Sequence, residues 1–319
     1  MTETASARKS FSRAGFALVA VAAVTVGAQL LLQLLVSLGA ERGLPFASAV
    51  WMDWVVTFAP LYLLGMPAGL WVLRALPRQK TEKSAPGAAS FFLLLLMCFP
   101  LMYFGSLLGT GLSLLLSEGS AENALLDYAY ETGPLKTLIM VVLAPLLEEY
   151  FFRRRLLDPL ARYGEKNAMI FSALCFGLFH MNLYQFFYAF ALGLLFAYVY
   201  LRTGRLRYSV LMHMVINFLG SVVAPALAGG LDLNALASMD TAALQAALRP
   251  MLLFLGYYIL YMGCVAAGLV LLILKFKDRR FAPASCELAP GKAASATYGN
   301  AGMLVFILMC LAGISINLY

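Results

Sequence analysis

Two histidines occur in the 319 residues, His180 and His213, and both lie inside apolar stretches. A third apolar stretch holds the adjacent acids Glu148 and Glu149, followed by Arg153. Ionisable side chains at membrane depth are costly, so each is a functional-site candidate. A carboxylate and an imidazole together can hold a water and take its proton. A second imidazole and a side-chain amide can donate to the oxyanion of a tetrahedral intermediate. His213 and Asn217 are four residues apart and share one side of a helix. These are the tools of water-dependent hydrolysis. A metal variant uses the same groups, with Glu and His side chains binding Zn²⁺ and lowering the pKa of its water.

The two acids differ in their helical neighbours. Glu149 and Arg153 stand four apart in the favourable acid-before-base order. Glu148 is rotated by about 100° from Glu149, so the two need not share a role. A blander alternative makes them an interfacial pair neutralised by Arg153, Arg154 and Arg155. Other intramembrane mechanisms lack their motifs: the sequence has no HExxH, no GxGD and no Ser in a GxSG setting. The five cysteines, Cys98, Cys175, Cys264, Cys286 and Cys310, form no CxxC pair and are assigned no chemistry.

Apolar helices must position these groups. The chain is 62% hydrophobic and 12% charged, against roughly 25% charged in soluble domains. It reads as a polytopic membrane protein. Spans need about 20 apolar residues, and nine stretches qualify, near 14–40, 48–73, 90–117, 134–157, 167–181, 183–201, 208–228, 250–274 and 300–318. The fifth is short, and the ninth is interrupted by Gly302 and Gly313. The first 13 residues resemble a signal-peptide n-region, but the apolar stretch after them is too long for an h-region and shows no clear cleavage site, so a retained first helix is expected.

With the N-terminus in the cytoplasm, segments 1–13, 74–89, 153–166, 202–207 and 275–299 hold 20 of the 23 basic residues, leaving Arg42, Lys136 and Arg249 opposite. The acidic loop with Glu118, Glu122, Asp127 and Glu131 also falls on that opposite side. The positive-inside rule thus explains the net charge of +7, and no nucleic-acid partner is implied. Segments 74–89 and 275–299 read as flexible loops. This topology sets Glu148 and His213 at a similar depth but His180 near the far end of its span. Its fifth helix must therefore be short, tilted, or end at mid-membrane.

Three motifs then stand in order: EEYFFR at 148–153 as EExxxR, FGLFH at 176–180 as FxxxH, and HMVIN at 213–217 as HxxxN. Over about 134–228 the chain resembles the CPBP family. That family joins CAAX prenyl endopeptidases of the Ras-converting type with bacteriocin-processing and self-immunity, or Abi-like, proteins. The resemblance implies an intramembrane endopeptidase with a cavity open to the cytoplasmic side. Glu148 and His180 would activate water, His213 and Asn217 would stabilise the oxyanion, and Glu149 and Arg153 would support them. Glu148, His180 and His213 would also suffice for a zinc site with an open position, while a metal-free glutamate mechanism uses the same residues. The substrate would be a peptide or protein at the bilayer, prenylated in the CAAX branch.

The expectation is an all-α, multi-pass bundle of about eight to nine spans in the cell membrane. It comprises N-terminal spans (1–133), a catalytic core (134–228) and C-terminal spans (229–319). Two non-enzymatic alternatives compete: an immunity or partner-binding protein that keeps the polar cluster as a hydrogen-bonded core, and a small proton-coupled transporter. The lack of a visible internal repeat counts against the transporter.

Overall fold

The computed structural model describes residues 2–77, 84–121, 123, 133–231, 241–275, 277 and 279–318. Arg78, Lys80 and Lys83 of the first basic loop, and Glu122, Asp127 and Glu131 of the acidic loop, lie outside the described residues. Every regular element among the described residues is helical. Ten helices are named in chain order. They are α1 (Glu3–Glu41), α2 (50–73), α3 (Ala88–Leu116), α4 (134–163), α5 (Glu165–Phe179), α6 (Leu183–Thr203), α7 (Leu206–Ala228), α8 (Thr241–Lys275), α9 (Pro290–Tyr298) and α10 (Ala301–Ile316).

All nine stretches expected to span are helical, but they are not alike. By length and composition, α1, α2, α3, α6, α7 and α8 can each cross a membrane. A seventh crossing is made only if α9 and α10, bent by 63° at their junction, act as one. The two remaining helices, α4 and α5, are the ones that carry EExxxR and FxxxH. α4 is laden with charge. α5 has 15 residues, roughly 22 Å at 1.5 Å per residue, short of the ~30 Å hydrocarbon thickness. One expectation is corrected: 275–299 is not all loop. Pro290 opens α9 at the first-turn position that proline tolerates, and the alanine-rich run behind it is a strong helix former.

Four stretches widen to π-helical turns: 60–65, 137–143, 150–157 and 219–223. Each ends two residues before a proline: Pro67, Pro145, Pro159 and Pro225. The residue just before each proline donates to the carbonyl five residues back, as Ala144 does to Ile139 and Asp158 to Arg153. The cause is local. Proline brings no N–H, and its ring presses on the carbonyl four residues earlier. A wider turn makes the room. The acid pair thus sits on a short α-helical stretch, Ala144–Glu149, between two widened turns.

α6 is the central strut, packed against α3 and α5, with α8 outside α3 and α1 against α2 and α10. Two apolar clusters result. The larger joins α1, α2, α4, α5, α6 and α10, and the smaller joins α3, α6 and α7. Gly15 and Gly302 let α1 and α10 touch backbone to backbone, where a Cβ on either would overlap the other chain segment. Small residues allow such approach where lipid offers no hydrophobic drive to pack.

Candidate active site

Glu149 and Arg153 are fully buried. Arg153 grips Glu149 with two hydrogen bonds, Nε to Oε2 at 3.0 Å and Nη2 to Oε1 at 3.2 Å. Its Nη1 donates to Ser172 Oγ at 3.0 Å, and Ser172 Oγ donates on to the Phe152 carbonyl at 2.9 Å. The guanidinium also lies 5.0 Å from the Phe176 ring centroid. A buried ion pair persists when its remaining donors and acceptors are satisfied in this way.

Glu148 is served differently. The Tyr62 hydroxyl, from α2, donates to its Oε1 at 3.1 Å. His213 stands between the two acids. Its Nδ1 is 3.4 Å from Glu149 Oε1 and its Nε2 is 3.9 Å from Glu148 Oε2. The shorter approach is not aligned as a hydrogen bond. The His213 ring is clamped by Phe196, stacked at 5.4 Å, and by the edge of Phe176 at 5.8 Å.

His180 is the residue that ends α5, which is short, as the sequence led one to expect. Its Nδ1 lies 2.9 Å from the Phe176 carbonyl. A carbonyl only accepts, so Nδ1 carries the proton and Nε2 presents its lone pair. Phe176 also meets the His180 ring edge-on at 5.2 Å, placing one phenyl ring against both histidines. Behind His180 the chain turns sharply. Met181 adopts φ +52°, a left-handed conformation that strains a non-glycine residue. Asn182 caps α6 through Oδ1 and donates from Nδ2 to the His180 carbonyl at 2.8 Å. From α10, Asn317 donates to the Met181 carbonyl at 3.1 Å, and Gly313 leaves room for the Met181 side chain.

Asn217 lies one turn beyond His213. Its Nδ2 donates to the Met140 carbonyl on α4 at 2.9 Å, which commits one of its two amide hydrogens. The structure therefore brings Glu148, Glu149, Arg153 and His213 into one contact set, puts His180 across Phe176 from it, and ties Asn217 to α4. Among the described residues, no three His, Cys, Asp or Glu side chains are gathered so as to hold a metal ion. Glu148, His180 and His213 thus do not stand as a preassembled ligand set.

Sequence reasoning missed four residues. Tyr62 is 86 positions from Glu148. The one signal for it was the row Trp54, Phe58 and Tyr62, whose rings stack along α2 and end in a hydroxyl. Phe176 was passed over as the apolar first member of its motif. Asn182 and Asn317 act on the turn after His180, not on the histidine's own helix.

Residues 131–219 match the model of a family described as type II CAAX prenyl endopeptidase, Rce1-like. YdiL of Bacillus subtilis (strain 168), described as a candidate membrane peptidase, is 30% identical over 103 residues. The likeness to that family is confined to residues 131–219, less than a third of the chain. The alignment with YdiL covers 31% of this chain and 41% of that protein, so the chain spans about two fifths of the length of the relative it matches. No solved structure matches. All six candidate site residues fall inside the matched segment 131–219. Tyr62 and Asn317, which reach the acid and the His180 turn, come from outside it.

Proposed function

We propose that the protein is an intramembrane endopeptidase that hydrolyses a peptide bond of a membrane-associated protein or peptide. The observation that supports this reading is the unequal treatment of two buried, adjacent acids. Glu149 is locked by Arg153, whereas Glu148 accepts one phenolic hydrogen bond and faces a histidine. The 3.9 Å between Glu148 Oε2 and His213 Nε2 is too long for a direct hydrogen bond, so neither group is used up by the other.

In this reading the Glu148 carboxylate, with His180 Nε2, takes a proton from water. The hydroxide oxygen bonds to the peptide carbonyl carbon, and the carbonyl π pair moves onto its oxygen. His213 Nε2 and the second amide hydrogen of Asn217 donate to that oxyanion. Collapse breaks the C–N bond, and the amine leaves with the proton held by Glu148. Glu149 and Arg153 position His213 from behind. The basic loops would face the cytoplasm by the positive-inside rule, and the substrate would enter laterally or from that side.

The test is cleavage of a membrane-tethered peptide library, with prenylated and unprenylated arms, by wild type, Glu148→Ala and His180→Ala. Activity in wild type alone is expected. Equal cleavage by all three would return the protein to a non-catalytic role. Metal analysis of the same samples tests the zinc alternative: stoichiometric metal in wild type, lost in both variants, would replace carboxylate activation of water by activation at a metal.

A further inference from the structure

A cavity of about 620 Å³ opens where the first turns of α1 meet the end of α2 and the junction of α9 with α10. That volume falls within the roughly 300–1,000 Å³ of small-ligand sites. Its described lining residues come from these elements alone, so it stands apart from the acid–histidine cluster. One face of α1 supplies most of the wall. Ala5, Arg8, Lys9, Ser12, Arg13 and Phe16 recur there at three- and four-residue spacing. Polarity grades along that face. Arg8 and Lys9 are exposed, Arg13 is half-buried, and Phe16 stands about 12 Å beyond Arg8 along the helix axis. Val72 of α2 adds a second apolar residue. Glu3, the acid of the first turn of α1, falls on the far side of the helix.

The wall is preformed. Ser6 and Ser10 both meet the Tyr163 hydroxyl at 3.1 Å, which fixes the rotation of α1 from behind. Arg8 Nη2 donates to Ser295 Oγ at 3.1 Å, and Arg13 Nη1 donates to the Ala75 carbonyl at 3.5 Å. Both acceptors are neutral, so these bonds orient the guanidinium groups without cancelling their charge. At the junction, the Gly302 N–H donates to Ser12 Oγ at 3.2 Å and the Met303 N–H to Asn300 Oδ1 at 3.0 Å. The end of α10 is thus already capped, and the three side-chain cations carry the charge of the site. Residues 78–83, which follow the end of α2, hold Arg78, Lys80 and Lys83 against Glu82. The sum of charge around this end of the molecule is positive with or without them.

We infer that this cavity binds the headgroup of an anionic glycerophospholipid, with its phosphate at Arg8, Lys9 and Arg13 and its glycerol toward Phe16 and Val72. Guanidinium forks suit phosphate oxygens in shape and charge. A lipid is favoured over free phosphate by position. α1 is long and apolar enough to cross a membrane, and the three cations stand where its apolar stretch begins, at headgroup level. The inference does not depend on the protein being a peptidase.

Full-length protein in dodecyl maltoside would be given phosphatidylglycerol, phosphatidylcholine or inorganic phosphate, with bound lipid counted by native mass spectrometry and each sample melted in parallel. Phosphatidylglycerol should bind in preference to phosphatidylcholine, and an equal concentration of inorganic phosphate should not displace it. Lys9→Gln, at an exposed position, should weaken the preference roughly fivefold, and Arg8→Gln added to it roughly fivefold more. Ala5→Trp, also at an exposed position, fills the cavity and should lower phosphatidylglycerol binding. Arg280→Gln removes an exposed charge outside the cavity and should leave the preference unchanged. Should Ala5→Trp fail to fold, Lys9→Gln against Arg280→Gln decides. Equal binding of the two lipids by wild type would overturn the inference, as would displacement by inorganic phosphate. So would a loss in Arg280→Gln as large as that in Lys9→Gln, which would mark attraction by net charge alone.

Discussion

Glu148 and Glu149 are neighbours in sequence, yet the two sides of α4 treat them as different kinds of residue. On the Arg153 side, each of the three guanidinium nitrogens meets an acceptor, and Glu149 is sealed from solvent. On the Tyr62 side, Glu148 has one phenolic donor, a histidine nitrogen at 3.9 Å, and a trace of exposure at 9%. Burial alone does not mark a catalytic acid. The acid with capacity left over is the one that can take up a water, and the satisfied one builds the wall behind it.

The largest expected effect lies on the Tyr62 side. Glu148→Gln keeps a hydrogen-bond acceptor for Tyr62 and removes the base, so cleavage should fall by about 10²–10⁴-fold while the melting temperature stays near that of wild type. Single-turnover cleavage and a thermal melt on one preparation measure both. Retained cleavage would erase the distinction between the acids.

The Arg153 side should answer in stability. Arg153→Met strands a buried carboxylate, which costs about 3–5 kcal/mol. Pairing it with Glu149→Leu removes the stranded charge and should recover much of the loss. Denaturation in detergent with the single and double variants closes this cycle. If the double variant melts as low as the single, the pair's partners matter more than its charge balance.

How much of this contrast was legible follows from which contacts are local. Glu149 with Arg153 could be read at four-residue spacing because a helix sets that distance. Tyr62 could not, because no periodicity links α2 to α4. The helical nature of the nine apolar stretches was legible from apolar length. The charge of α4 and the 15 residues of α5 departed from it at the motif helices, where function competes with a simple crossing. The π-helical turns were within reach, since prolines at 67, 145, 159 and 225 sit inside apolar runs and each must displace a carbonyl. The helix at 290–298 was hidden by its loop-like composition.

Tyr62→Phe sharpens the comparison at smaller scale. It removes the one side-chain hydrogen bond described for Glu148. A bond to a charged group is worth about 1.5–3 kcal/mol. Tyr62 is only half-buried, which argues for the low end, about a tenfold change in turnover. Stability should move less than with Arg153→Met. A variant as unstable as Arg153→Met would show Tyr62 to be part of the wall after all.

The smallest effect should come from farthest away, at Asn317. Its amide steadies the carbonyl of Met181, a residue strained at φ +52° immediately after His180. The bond is exposed, so losing it should cost about 0.5–1 kcal/mol, read as a two- to fivefold fall in turnover with little change in melting temperature. Met181→Gly tests the cause, because glycine adopts the left-handed conformation without strain. If Asn317 acts by holding that strained turn, Met181→Gly combined with Asn317→Ala should lose less than Asn317→Ala alone. If the two losses simply add, Asn317 acts elsewhere at the end of α10, and the helix outside segment 131–219 has no say in where His180 points.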